Sequence, residues 1–87
     1  MGIETKNEVG REFTAYELPL LCGFVVIVTR EDRPYAYTAW VTQVTPKFVV
    51  FRAGEIQTYF MAMRHEDGTL TDDTGRRIRV YEYLGEI

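Results

Sequence analysis

The sequence lacks several features that would point to secretion or to a membrane. It contains one cysteine, Cys22, so it cannot form an internal disulfide, whereas secreted scaffolds of about this size usually carry several. Its longest apolar run, residues 18–28, is interrupted by Pro19 and Gly23 and is too short to cross a bilayer. The first residues do not have the basic and then apolar pattern of a signal peptide. We therefore expect a cytoplasmic protein with no membrane partner.

The sequence also has little that would carry out a reaction or hold a metal. Its single histidine, His65, has no recognisable nucleophile or orienting group near it in sequence. One histidine and one cysteine cannot fill a structural zinc site without carboxylates. Cys22 lies in an apolar run, which favours a buried core thiol over a nucleophile. We expect no catalytic residues, no metal site, no cofactor and no enzymatic activity.

Acidic residues are concentrated between two arginines near the end of the chain. Two readings exist for this segment, a divalent-cation or acid–base site and a solvated hairpin whose charges pair across strands. The spacing of a calcium loop is absent, so the hairpin is the favoured prediction. The residues concerned are Glu66, Asp67, Asp72 and Asp73, between Arg64 and Arg76.

The residues that are abundant are those that form β-strands. From Tyr35 to Met63, β-branched and aromatic residues fill three runs separated by a Thr-Pro-Lys turn and a Gly-Glu turn, a pattern typical of a three-stranded meander. Residues 20–29 and 76–84 predict two more strands. The predicted fold is all-β, a small five-stranded antiparallel barrel or rolled sheet. We assign it to residues 18–87, preceded by a polar arm or short helix at 1–17.

The two turns predict which side chains share a face of the sheet. If Pro46 and Lys47 form one turn tip, Val44 faces Val49; a two-residue turn at Gly54-Glu55 sets Ala53 opposite Ile56. Directly opposed residues share a face. The predicted interior is Trp40, Thr42, Val44, Val49, Phe51, Ile56, Phe60 and Ala62. The predicted exterior is Tyr37, Val41, Gln43, Phe48, Val50, Arg52, Gln57, Tyr59 and Met61. Ile78, Val80 and Leu84 of the last strand are predicted to point inward.

The exterior set is more apolar than contact with solvent alone would favour. Tyrosine, phenylalanine, methionine and arginine are the residue types enriched at protein interfaces. We therefore predict a protein-binding face for a partner protein or for self-association. The alternative is that the amino-terminal arm covers this face through Phe13 and Tyr16. The predicted protein-binding residues are Tyr37, Val41, Phe48, Val50, Tyr59 and Met61.

A second functional hypothesis is contact with nucleic acid. The net charge of −3 and the pI near 5.1 oppose a purely electrostatic grip on phosphates, but residues 74–81 carry three arginines and no acid. Arginines interleaved with tyrosines can form a surface that stacks on bases and contacts phosphates. The residues assigned to this alternative are Arg64, Arg76, Arg77, Arg79 and Tyr81.

The order of these segments resembles a known class of small barrels. A strand and a charged turn are followed by W-V-T-Q-V-T-P-K-F-V-V-F, by Y-F with a glycine-containing excursion, and by R-I-R-V-Y. This order is similar to that of Src-homology-3-like barrels, which are frequent among phage and mobile-element proteins. The resemblance covers about three quarters of the chain and assigns no functional residue. It implies binding to protein, peptide or nucleic acid rather than catalysis, and an accessory or inhibitory role.

Overall fold

The computed structural model describes residues 7–31, 36–53 and 58–86, which form one antiparallel sheet. Seven strands lie within these residues, together with a short 3-10 helix at Leu18–Leu21. None of the helical structure there has the length and hydropathy needed to span a membrane. The strands are β1 (Asn7–Glu12), β2 (Val25–Arg30), β3 (Ala36–Val44), β4 (Phe48–Ala53), β5 (Tyr59–Arg64), β6 (Leu70–Thr71) and β7 (Arg77–Glu86).

Six of the strands close into a barrel. The order is β7-β2-β3-β4-β5-β6, and β6 pairs again with β7 to complete the circle, while β1 lies outside on β7. The prediction of a small all-β barrel is confirmed, although the barrel has six strands where five were predicted. The additional strand, β6, is only two residues long, and it falls in the excursion after Met63, where turn residues dominate the sequence.

The barrel interior is filled by the alternate residues of each strand. Phe51 is completely buried and stacks on Phe60 with ring centroids 5.0 Å apart. Burying a side chain of this size contributes about 1.5–3 kcal/mol, so the aromatic pair is a major part of a small core. The other buried members of the core cluster are aliphatic or small: Ala15, Leu18, Val26, Val28, Ala39, Val41, Val49, Ala62, Leu70, Ile78 and Val80.

The amino-terminal segment differs from the predicted loose arm or helix. Residues 7–12 form β1, which is paired with the second half of β7 with register shifts on either side of Val9. Phe13 then packs against the core and its N–H donates to the Val80 carbonyl at 2.8 Å. A strand was not expected here because Asn7, Gly10 and Glu12 are poor strand formers, and pairing with β7 overrides that propensity.

The first barrel strand starts later than the sequence suggested. Leu18–Leu21 forms the 3-10 helix, and β2 begins at Val25 rather than near residue 20. Between them Gly23 has a φ of +90°, a conformation that favours glycine and turns the chain into β2. The turn carries Cys22 to the surface, so the prediction of a buried thiol is wrong.

The last strand follows the predicted alternation over only part of its length. Ile78 and Val80 are buried as expected, but Leu84 is 53% exposed, which contradicts its predicted inward position. Leu84 lies beyond the segment of β7 that pairs with β2, in the part that carries β1. That part of β7 pairs with β1, which lies outside the closed ring of barrel strands.

Candidate protein-binding site

A bulge in β3 decides which side chains face outward. Val44 pairs with Val49 as predicted, but Gln43 pairs with Val50 and Val41 with Phe51, so Thr42 is an additional residue on β3. The Thr42 hydroxyl donates to the Val50 carbonyl at 3.1 Å. An extra residue reverses the alternation of everything that precedes it in the strand.

Because of this bulge, four of the predicted face assignments in β3 are wrong. Val41 is fully buried, and Tyr37 packs edge-on against Phe60 inside the barrel, with ring centroids 5.7 Å apart. Both were predicted to belong to the protein-binding face, and that prediction is wrong. Trp40 and Thr42 were predicted to lie inside, but both are exposed.

The β4–β5 connection is also longer than predicted, but this error leaves the faces intact. The Ala53 N–H donates to the Thr58 carbonyl at 2.9 Å, and Phe51 rather than Val49 pairs with Phe60. The register therefore moves by two residues, and a shift of two keeps each side chain on its predicted face. Ile56 and Gln57, which were assigned to opposite faces, lie outside the described residues.

The outward side of β3, β4 and β5 forms a continuous surface that we call the outer aromatic face. Opposed pairs run across it: Arg52 has Trp40 on one side and Tyr59 on the other, and Val50 faces Met61. Tyr59 is 63% exposed and Met61 is 49% exposed. Phe48 and Val50 are half-buried between their neighbours. The face consists of Trp40, Phe48, Val50, Arg52, Tyr59, Met61 and Met63.

The opposite side of the barrel shows that this exposure is local. Ile27 is on the outward side of β2, since it alternates with the core residues Val26 and Val28, and it pairs with Thr38 and Tyr81. Nevertheless it is completely buried. The outer surface is thus closed at Ile27 of β2, whereas that over β4 and β5 exposes Tyr59 and Met61.

The described part of the amino-terminal segment does not cover the outer aromatic face. Phe13 packs on the core beside β7, and the Tyr16 hydroxyl donates to the Glu66 carbonyl at 3.0 Å, in the turn after β5. The Tyr16 ring lies against Gly68 in the same turn. Both aromatic rings that were candidates to cover the face are therefore used elsewhere.

Arg52 is the only charged residue among the described outward positions of β3, β4 and β5. Its guanidinium lies over the Trp40 ring, 4.0 Å from the centroid, a cation–π contact worth about 0.5–1 kcal/mol at a surface. Within the described chain, the structure records no hydrogen bond or ion pair that uses its N–H groups. Arg52 also lines an open cleft of about 420 Å³ together with Cys22, Trp40 and Tyr59.

The residues of the nucleic-acid hypothesis are not gathered on one surface. Arg64 is in register with Leu70 and Ile78 and so lies on the inner side of the sheet, where it donates to the Thr45 and Ala15 carbonyls. Arg79 lies on the outer side of β7 and pairs with Glu12 at 3.2 Å.

The other three residues of that hypothesis lie on or beside β7. Arg76 precedes the strand and donates to the Thr74 hydroxyl. Arg77 and Tyr81 are half-buried. Only Arg77, Arg79 and Tyr81 therefore share one side of one strand.

The acidic segment is used to shape turns. The Asp72 carboxylate is buried and accepts hydrogen bonds from the Thr74 hydroxyl at 2.7 Å and from the Thr74 and Arg76 N–H groups at 2.9 Å. These bonds, above all that from Thr74, hold the pKa of Asp72 below its usual value. Asp67 accepts from Thr69 in the same way, with the same effect on its pKa.

Glu66, Asp67 and Asp73 are exposed, as expected for a solvated hairpin, and Asp72 pairs with Arg30 at 3.5 Å. The segment differs from the prediction in that Asp72 is buried. His65 contacts the Thr71 hydroxyl at 2.7 Å. Among the described residues, no group of three or more His, Cys, Asp or Glu could hold a metal ion.

Comparison of the chain with protein-family models, with curated proteins and with solved structures finds no match. Sequence reasoning missed Trp40, Met63 and Cys22 at the site. The alternation that placed Met61 outward also predicts Met63 there. No residue type indicates the bulge at Thr42, which turns Trp40 outward.

Proposed function

We propose that this protein is a non-enzymatic module that binds another protein through the outer aromatic face. The observation that carries the proposal is the exposure of Tyr59 and Met61 on a barrel whose opposite outer side is closed over Ile27. Large aromatic side chains provide contact area at low conformational cost, and methionine adapts to irregular partners.

The partner should present apolar side chains around a carboxylate. Arg52 is the one charge on the face, and its stacking on Trp40 holds the planar guanidinium in place. A guanidinium fixed in this way matches a carboxylate with two parallel N–H bonds. An acidic side chain of the partner that enters the cleft beside Tyr59 would complete the arrangement.

The resemblance to Src-homology-3-like barrels supports a binding role, and we extend the proposal to an accessory or inhibitory protein of phage or mobile-element type. A cytoplasmic location agrees with an exposed, unpaired Cys22. Nucleic-acid contact has less support, because Arg64 lies on the inner side of the sheet and Arg79 is paired with an acid.

Selection from a display library of random peptides tests this proposal without knowledge of the natural partner. Selected peptides should combine apolar residues with at least one acidic residue. Trp40 is the only tryptophan, so its fluorescence reports binding at the face directly. Arg52→Gln should weaken a selected peptide by about tenfold to a hundredfold, since hydrogen bonds to charged groups contribute ~1.5–3 kcal/mol.

Two double variants provide the contrast. Tyr59→Ala with Met61→Ala should weaken the same peptides by about a hundredfold, as expected when two interface anchors are truncated. Leu20→Ala with Leu84→Ala removes two apolar side chains that are 78% and 53% exposed at other places on the surface, and it should change nothing. Equal loss in both variants, or no loss in the first, would contradict the proposal.

A further inference from the structure

The backbone of β5 is unpaired along part of one edge. Its partner on that side, β6, is in register with Met63 and Arg64 alone, so among the described strands Tyr59 to Ala62 have a neighbour only on the β4 side. In the described ranges no other strand pairs with them.

The hydrogen bonds of the flanking residues show which backbone groups point to the free side. The Arg64 N–H donates to the Lys47 carbonyl, and the Thr58 carbonyl accepts from Ala53, so the even-numbered residues of β5 bond to β4. The odd-numbered residues then face away from β4, and the His65 N–H, which donates to the Thr69 carbonyl, agrees with this. The N–H and C=O groups of Tyr59 and Met61 therefore point away from β4, within the sheet and toward its free edge.

We propose that two copies of this chain associate by pairing their β5 strands antiparallel along this free edge, with the two-fold axis at Phe60. In this register Tyr59 of each copy is opposite Met61 of the other. Both residues carry outward backbone groups, so the pair closes four N–H to C=O hydrogen bonds between the copies. Phe60, which is half-buried, lies opposite itself.

The chemistry of the strand favours a second copy as the occupant. Two copies that each carry a net charge of −3 repel one another, so an edge that pairs with its own copy should itself be free of charge. From Tyr59 to Met63 there is no charged residue and no proline, which are the usual means of preventing edge-to-edge pairing. The register also places a methionine sulfur beside a tyrosine ring on the outer surface, a favourable contact.

The pairing is short, so the dimer should be weak and dependent on concentration. It would join the two outer aromatic faces into one surface without using Arg52. This inference does not depend on the proposed peptide binding, and the two can fail separately. Arg52→Gln should reduce peptide binding and leave self-association unchanged, whereas loss of the outward Met61 N–H should reduce self-association.

Sedimentation equilibrium of three variants tests the geometry. Met61→Pro removes an N–H that points away from β4, and it should weaken the dimer at least about tenfold because two intermolecular hydrogen bonds are lost. Met61→Ala keeps the N–H and should weaken it less. Ala62→Pro removes an N–H on the β4 side and should destabilise the monomer itself. A Met61→Pro protein that dimerises like the wild type would overturn the proposal.

Hydrogen exchange on the wild-type protein gives an independent readout if a proline variant does not fold. In dilute solution the Phe60 and Ala62 amides should be protected while those of Tyr59 and Met61 exchange quickly. As concentration rises, Tyr59 and Met61 should become protected and the other two should not change. Protection that does not depend on concentration, or a monomer throughout, would also overturn the proposal.

Discussion

β1 and β5 each leave one edge without a neighbouring strand in the described part of the chain, but their side chains differ in kind. β1 presents Arg11, which bonds to Glu17 at 2.5 Å, and Glu12, which bonds to Arg79 at 3.2 Å. Register shifts also interrupt its pairing with β7. The free edge of β5 has neither charges nor irregularities between Tyr59 and Met63.

Charges and bulges at an edge discourage the addition of another strand. The same fold therefore protects one edge and leaves the other competent to pair. The unprotected edge borders the outer aromatic face, because Tyr59 and Met61 belong to both. Exposed apolar side chains and unpaired backbone groups lie together at this one place, which supports a binding surface over a random lapse in edge protection.

The largest effect is expected when charges are placed on β5, because its edge then resembles the charged edge of β1. With Tyr59→Lys and Met61→Lys, each lysine meets a lysine of the other copy in the proposed register, and self-association should be abolished. With Tyr59→Lys and Met61→Glu, the same apolar area is lost but each lysine meets a glutamate, so a dimer should persist.

Sedimentation velocity at low and high salt distinguishes these outcomes. The Lys/Glu dimer should weaken as salt rises, because its ion pairs are exposed and screened. If both double variants are monomeric, or if both are dimeric, the pairing of residue 59 with residue 61 of the other copy is wrong.

A smaller effect is expected from loosening β1. A Cβ at Gly10 would lie 2.6 Å from the Glu82 carboxylate and 2.8 Å from its Cβ, closer than the strands allow. Gly10→Ala should therefore destabilise the protein by about 1–3 kcal/mol, the usual cost of overpacking, as measured by chemical denaturation.

Two further measurements show whether the loss comes from β1. The same substitution in a Glu82→Ala background should cost less, because two of the three clashing atoms are gone. A displaced β1 would also leave the end of β7 without its partner and should increase self-association. A neutral Gly10→Ala would mean that β1 does not dock on β7 in this register.

The sequence was sufficient to predict the class of fold and the inward and outward residues of β4 and β5. Alternating apolar residues set the faces of these strands, and the two-residue error in the connection between them preserved both faces. What failed was β3, where one extra residue at Thr42 exchanged the roles of Trp40 and Val41. A bulge is set by the pairing of two strands, so the local residue types do not reveal it.

The prediction for the amino-terminal region was wrong for a different reason. β1 has charged and glycine residues because it is a protected edge, and the features that protect an edge are those that lower its strand propensity. Cys22 was misplaced because the apolar run that contains it is divided by a 3-10 helix and a glycine turn. The candidate face was thus predictable where strands are central and regular, and unpredictable at bulges and edges.

The smallest expected effect concerns pH, and it separates the two edges again. The hydrogen bonds from Arg11 and from the Thr14 N–H lower the pKa of Glu17 from 4.5 to about 2. A carboxyl whose pKa is lowered by folding stabilises the protein above its unfolded pKa, and this contribution is lost as pH falls from about 4.5 to about 2. The difference in stability between the wild type and Glu17→Gln should therefore shrink over that window, as measured by denaturation at each pH. The effect should be small, because the Arg11 side chain is 60% exposed.

The segment of β5 from Tyr59 to Met63 has no group that titrates there, so the pairing of β5 should not change over the same range. A self-association that weakens in step with Glu17 protonation would show that β1, rather than β5, forms the contact.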